Sequence, residues 1–319
     1  MLRCALLPLI ALVAFVLYNA WSIGANDETM APVVSGRSLD VKTAVVMGSV
    51  VGVMGSVFLG ENVQKCIGSD LLLQSMTLEC ALIVLFCSAF WLTVVSYRGY
   101  SVSTTHSTLS AIVGYGLVVI GSSGVNWLKV AGIVEGWFLS LALGFSGAYV
   151  LTKLVFRIKS RNSKDHDKFE RYFSKLLIFS TFLLQFSRWG NDVGNAAGLL
   201  YGLFDPLVSR FVCALAMAFG LIVLGRIVVT SVGIRMVRLL PSAAFAAQVI
   251  STAIIFPFAY VGVPLSGTHV LISSMIGTGL AAKAKVNARM TEVFGVAWVL
   301  SFICPGVLAG IIALVVRLF

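Results

Sequence analysis

The segment 102-VSTTHSTLSAIVGYGL-117 opens on Ser103, Thr104, Thr105 and His106, then continues as an apolar run punctuated by Gly114 and Gly116. The same order returns at 265-LSGTHVLISSMIGTGL-280, where Ser266, Thr268 and His269 precede Gly277 and Gly279. One polar box in a hydrophobic chain has many explanations. Two boxes in register imply a duplicated unit, and that duplication governs how the rest of the chain is read.

Composition sets the class. The chain has 319 residues, of which 59% are hydrophobic and 11% charged, and its mean hydropathy is +0.98. A soluble domain carries about 25% charged residues, so there is too little polar surface here to cover a water-facing globule. Apolar runs recur at 5–24, 43–59, 80–97, 131–156, 176–186, 211–225, 243–261 and 293–316, most of them near the roughly 20 residues a helix needs to cross a bilayer. The expected fold is all-α, a polytopic multi-pass membrane protein. A barrel would instead alternate polar and apolar in segments of about 10 residues. The first run begins like a signal peptide, but the Asn26-Asp27 pair that ends it has a counterpart later, which predicts a retained span. The net charge of +10 is largely loop charge, with seven Lys/Arg in 157-RIKSRNSKDHDKFERYFSK-175. Basic loops face the cytoplasm in membrane proteins, and nucleic acid is not an expected partner. Six cysteines without paired spacing read as small packing residues.

The repeat extends well beyond the boxes. Asn26-Asp27 recurs as Asn191-Asp192 and Leu59-Gly60 as Leu224-Gly225, both 165 residues on; Val125-Asn126 recurs as Val286-Asn287, 161 on. The expected organisation is a first membrane repeat (1–156), a basic cytoplasmic linker (157–175) and a second repeat (176–319). Placing the linker inside puts 226–238, with Arg226, Arg235 and Arg238, inside as well, together with Lys283, Lys285 and Arg289. The loop with Glu61 and Asp70 falls outside. About five membrane-crossing elements per unit is an odd number, so the copies are inverted. Inverted repeats are a signature of secondary transporters, whose sites lie at the midplane on broken or re-entrant helices.

Two polar constellations per half carry the chemistry. In 24-GANDETMAP-32 and 190-GNDVGNAAG-198 an Asn-Asp pair follows an apolar helix. An ionised carboxylate inside a membrane costs on the order of 3 kcal/mol, and persists where it binds a cation, relays a proton or pairs with a base. Arg188 could neutralise Asp192, and Asp27 could be a helix cap. The boxes place hydroxyls at helix starts, where free N–H groups and the positive end of the dipole favour an anion. Two such starts meeting from opposite sides would wrap a tetrahedral oxyanion without a fixed Lys or Arg. The competing reading is that hydroxyls and small residues simply pack helices together. His106 and His269 are expected to hold the helix starts by bonding a carbonyl, and His166 to be solvated.

The GAND element, the VSTTHS box, the GNDVGNA repeat and the second THxxxSSxxGxGLA box, in that order, resemble the inorganic phosphate transporter family. The flanks 123-SGVNWLKVAGIVEGWFLS-140 and 286-VNARMTEVFGVAWVLS-301 resemble the segments that follow its boxes, so the resemblance covers nearly the whole chain. It implies a helical carrier in the cell membrane that imports inorganic phosphate with sodium or protons, with no cofactor beyond that coupling ion, and with a homodimer left open. Ser103, Thr104, Thr105, Ser266, Thr268 and Asn195 would bind the anion; Asn26, Asp27, Asn191 and Asp192 would take the cation or proton. The chain departs from the family pattern at Met30, where a second Asn is usual, at Glu28-Thr29, which replace small residues, at Gly267, where Thr is usual, and at 51-VGVMGS-56, which lacks a Glu. The first box also lacks the Pro that precedes the second as Pro264. A sulfate permease of the same fold is the alternative, with an anion channel behind it. No nucleophile–base pair, metal-ligand spacing or nucleotide loop points to an enzyme.

Overall fold

The structure, a computed structural model, describes residues 2–74, 76–162 and 165–318, with only the backbone for 2–7 and 161–162. Cys4 and part of the basic stretch, 161–164, therefore lie outside the described side chains. The first half contains α1 (Leu2–Ala25), a short α2 (Ala31–Ser35), α3 (Val41–Leu59), a short α4 (Glu61–Ser69), α5 (Leu78–Tyr97), α6 (Thr104–Val119) and α7 (Trp127–Asn162). The second half repeats the order with α8 (His166–Asp192), a short α9 (Gly194–Ala197), α10 (Pro206–Gly220), α11 (Arg226–Thr230), α12 (Pro241–Val261), α13 (Gly267–Ala281) and α14 (Ala288–Leu318). Between α10 and Val237 the helix passes through two π-helical turns, Leu221–Gly225 and Ser231–Met236. Seven segments among the described residues are long and apolar enough to cross a membrane. Side chains such as Phe138, Val299 and Ile311 expose their apolar surface, as a lipid-facing band requires.

Helix starts follow the local chemistry. Asp40, Thr77 and Asp205 accept the backbone N–H three residues on, and Pro206 and Pro241 occupy first turns, where no N–H is needed. Gly262 ends α12 in the left-handed region at φ 84°, open to glycine at no steric cost. The basic stretch is not a free loop: α7 runs into it and α8 begins inside it. Lys159 pairs with Glu170 at 2.7 Å, and Glu170 accepts from the Ser242 N–H and hydroxyl. This fastens the stretch to the start of α12.

Each box lies at the tip of a helical hairpin. Helices α5 and α6 are antiparallel neighbours, and an antiparallel bridge, Leu72 to Val125, closes their foot. The bridge Val237 to Val286 closes the foot of α12 and α13. Of the five long elements in each half, two are therefore arms of a hairpin that returns to its own side, and the parity of the chain path stays odd. Helix α14 begins beside the second foot, where the Asn287 N–H donates to the Met236 carbonyl. It ends beside the first, where Arg317 donates to the Val118 carbonyl. A helix of 31 residues spans about 46 Å, so the feet lie at opposite ends of the molecule and the tips meet between them.

Backbone-to-backbone crossings repeat between halves. A Cβ on Gly55 would lie 2.0 Å from the Phe186 carbonyl oxygen, and one on Gly220 would lie 1.9 Å from that of Trp21. Gly114 meets Gly306 at 2.1 Å and Gly277 meets Phe145 at 2.3 Å in the same sense. Each contact maps onto its partner when the halves are exchanged, through the offsets seen in the sequence. Where backbones touch, no side chain fits. Gly114→Leu and Gly277→Leu should each lower thermal stability in detergent by about 1–3 kcal/mol of overpacking. Gly132→Ala, which meets nothing within 4 Å, should leave the melting temperature in place.

Candidate functional site

The C-terminal ends of α1 and α8 and the tips of both hairpins converge at one buried centre. Two asparagines fix that convergence. Asn26 donates through Nδ2 to the Val102 carbonyl at 2.6 Å and accepts from the Val102 N–H at 3.3 Å. Asn191, in the amide orientation that satisfies both atoms, donates to the Leu265 carbonyl at 2.9 Å and accepts from the Leu265 N–H at 3.2 Å. Val102 and Leu265 each precede the serine that starts a box. The side-chain amide thus completes a backbone-like pair that would otherwise be orphaned, and it fixes the tip against the first helix of its own half. Both amides are spent on positioning, whereas the sequence pattern points to cation ligation.

The boxes themselves interlock. Ser103 and Ser266 cap α6 and α13, accepting from the His106 and His269 N–H groups at 3.1 and 3.3 Å. Thr105 donates across the junction to the Leu265 carbonyl at 3.1 Å. Thr268 lies 3.2 Å from the Val102 carbonyl and 3.4 Å from the Ser101 hydroxyl. Thr104 reaches Asp192 Oδ1 at 3.4 Å. Asn195 donates to the Asp192 carbonyl at 3.2 Å, and its own amide oxygen is buried without a partner. The ten residues singled out in the sequence are all at most 4% exposed. The histidines pack chiefly by ring contact. His106 lies tilted against Trp137 (3.7 Å between centroids), His269 tilted against Trp298 (4.2 Å), and the two imidazoles meet edge to face at 4.4 Å. Aromatic contact rather than hydrogen bonding joins the tips behind the boxes.

The centre holds a cation after all. Arg188 is 1% exposed and sits among three carboxylates. It makes a two-pronged pair with Glu28, donates from Nε to Asp192 Oδ2 at 3.2 Å and lies 3.8 Å from Asp27 Oδ1. Nη2 also donates to the Thr268 hydroxyl at 2.8 Å. The expected cradle without a fixed base is corrected on this point: a guanidinium stands inside it. Its presence also unites two departures from the family pattern: Glu28 is its main partner, and a Cβ on Gly267 would come within 2.9 Å of its Nε. Met30, a third departure, fills apolar space against Gly48. Glu28 and Ser101, whose hydroxyl donates to Glu28, belong to this cluster although sequence reasoning gave them no firm role. The available signal was Arg188 itself, the one charge between Lys175 and Asp192: a base in an apolar run demands carboxylates.

The carboxylates differ in freedom. Asp27 accepts from the Thr29 N–H (2.8 Å) and hydroxyl (2.5 Å), from Gln185 (2.9 Å) and from the Trp189 indole (2.6 Å). Asp192 has only Arg188 and the long contact to Thr104. Asp27 is thus a saturated anchor, and Asp192 keeps capacity for another ligand. Removing one member of a buried ionic cluster leaves the others uncompensated, at about 3–5 kcal/mol. Arg188→Met should therefore unfold at clearly lower temperature, and Arg188→Met/Glu28→Leu should recover part of the loss. A double variant no more stable than the single one would show that the Glu28 pair is not what holds Arg188.

Comparison with known proteins places this chain in a family. Residues 23–309 match the family model described as "Phosphate transporter family". A Bacillus subtilis protein named "Probable low-affinity inorganic phosphate transporter" is 26% identical, the match covering 94% of this chain and 93% of that protein. A candidate phosphate permease of Pyrococcus furiosus is 25% identical over 92% of each chain. The solved structure titled "The sodium-dependent phosphate transporter" shares the fold, with a TM-score of 0.88 at 23% identity over 98% of this chain and 99% of that one. The family model covers most of the chain, and the family is one of membrane transporters and not of enzymes: the chain belongs to the phosphate transporter family.

Proposed function

We propose that the protein is a symporter of the cell membrane that imports inorganic phosphate together with protons or sodium, the two hairpin tips forming the anion site. The observation that carries this reading is the charge of the centre. Three carboxylates (Asp27, Glu28, Asp192) and one guanidinium sum formally to −3 + 1 = −2. A hydrogen phosphate dianion entering there would face strong repulsion at low dielectric, unless positive charge arrives with it. That charge balance supports coupling to a cation.

The roles follow from the contacts. Thr104, Thr105 and Thr268 offer hydroxyls at the junction, and the first turns of α6 and α13 add N–H groups. Arg188 is held by Glu28; a proton or sodium ion taken up by Glu28 or Asp192 weakens that hold and frees guanidinium N–H groups for phosphate oxygens. Asp192 is the better acceptor because it has fewer donors than Asp27. Asn26 and Asn191 keep the tips in register while the units rock about the site, the inverted repeats supplying two alternating openings. Asn195, with a free amide oxygen, suits the hydroxyl of a protonated phosphate. Sulfate has no such proton to donate at neutral pH, which makes phosphate the preferred cargo. The solved relative is sodium-dependent by its title; here Arg188 already supplies one fixed positive charge, so protons are an equal candidate for the coupling ion.

Purified protein in proteoliposomes should accumulate labelled phosphate when an inward sodium or proton gradient is imposed, and the gradient that drives it names the ion. Uptake that stays passive under both gradients would end the symport reading. Sulfate accumulated in preference to phosphate would reverse the choice of cargo. Asp192→Asn should lower accumulation at least tenfold while still inserting and folding, because Arg188 keeps its two-pronged pair with Glu28. The same change at Asp27, where four hydrogen bonds depend on the carboxylate, should cost stability as well.

A further inference from the structure

We propose that a basic pocket at the foot of the α12–α13 hairpin binds a phosphate-bearing anion, either free inorganic phosphate or the headgroup of an anionic phospholipid. The pocket has a volume of about 750 Å³ and is lined by Arg235, Arg238, Lys285, Asn287 and Arg289 among others. Its four cations come from two segments locked side by side. Val237 and Val286 form the antiparallel bridge, the Asn287 N–H donates to the Met236 carbonyl at 2.9 Å, and the Asn287 side chain caps the first turn of α14 through the Met290 N–H. The charges are thus presented by fixed backbone rather than by a loose tail.

No carboxylate lines the pocket, and none of the four cations has an ion-pair partner within 4 Å among the described residues. The acids nearby are Glu292, exposed one turn further along α14, and Glu170, which Lys159 and Ser242 already occupy. Four like charges around one concavity repel unless an anion sits among them. Arginine forks match phosphoryl oxygens in pairs.

The other half of the molecule supplies an internal contrast. By the repeat offsets, Arg235 stands where the first half has Asp70, Arg238 where it has Leu73, Lys285 where it has Gly124 and Arg289 where it has Leu128. At that opposite foot Lys129 is neutralised by Asp70 at 3.3 Å. The scaffold itself therefore does not require the charge. The basic pocket is an addition to one end, the end that also holds the stretch 157–175. This inference does not depend on which ion drives transport.

The test is titration of the purified full chain in neutral detergent, read by thermal unfolding, with inorganic phosphate, with short-chain phosphatidylglycerol, and with short-chain phosphatidylcholine as the uncharged control. Arg235→Gln/Arg238→Gln and Lys285→Gln/Arg289→Gln should each weaken binding of the occupant by roughly 25-fold, about fivefold per charge. Lys65→Gln, exposed on α4, should not change it. Loss confined to phosphatidylglycerol identifies a lipid headgroup; loss confined to inorganic phosphate, beyond what the central site contributes in the parent, identifies the free anion. Titrations of both ligands unchanged in both double variants would overturn the proposal. If a double variant does not fold, the single exchanges Arg238→Gln and Lys285→Gln, both at exposed positions, carry the same readout.

Discussion

The fold depends on burying Arg188 among Glu28, Asp27 and Asp192 where two hairpin tips meet. Charge at that depth is tolerable only when it is paired and hydrogen-bonded, and the pairing joins distant parts of the chain. Glu28 follows the end of α1, Arg188 and Asp192 lie on the last turns of α8, and Thr268 opens α13. No one of these elements can move far without exposing a charge to apolar surroundings. The same cluster has more carboxylates than bases, and the proposed coupling to a cation rests on that excess.

Around this centre the two halves use identical devices. Asn26 and Asn191 each complete the backbone of the residue before a box, Ser103 and Ser266 each cap the helix that follows, and glycines at corresponding places let the same pairs of helices touch. The departures from this repetition are local and chemical. Arg188 corresponds to Ile23, Glu28 to Val193, and Thr104 to Gly267; the guanidinium occupies the space that a threonine at 267 would need. Asymmetry is concentrated in the polar centre and at the basic foot, while the helix crossings stay alike.

Much of this was legible in the sequence. Hydropathy alone dictates a helical membrane protein, because backbone groups in lipid must be satisfied within the segment. The paired boxes and Asn-Asp elements, read with their offsets, disclose the repeat and the residues that line the centre. Capping serines announce themselves by position, since a hydroxyl before an apolar run has an obvious N–H to accept. What spacing conveys is which residues share an environment.

Spacing does not convey which atom meets which, and the tertiary structure decided those roles. Asn26 and Asn191 look like ion ligands until their amides are seen paired with backbone. His106 and His269 look like residues that hold their helix starts, and the fold sets their rings against Trp137 and Trp298. Arg188 pairs with Asp192, its neighbour on the helix, as spacing suggests, but its two-pronged pair is with Glu28, 160 residues away. The physical reason is the same in each case. Local sequence fixes hydrophobic period and caps through forces acting over a few residues, whereas the partner of a buried polar group is chosen by whichever distant backbone or charge the packing of helices brings within hydrogen-bonding reach.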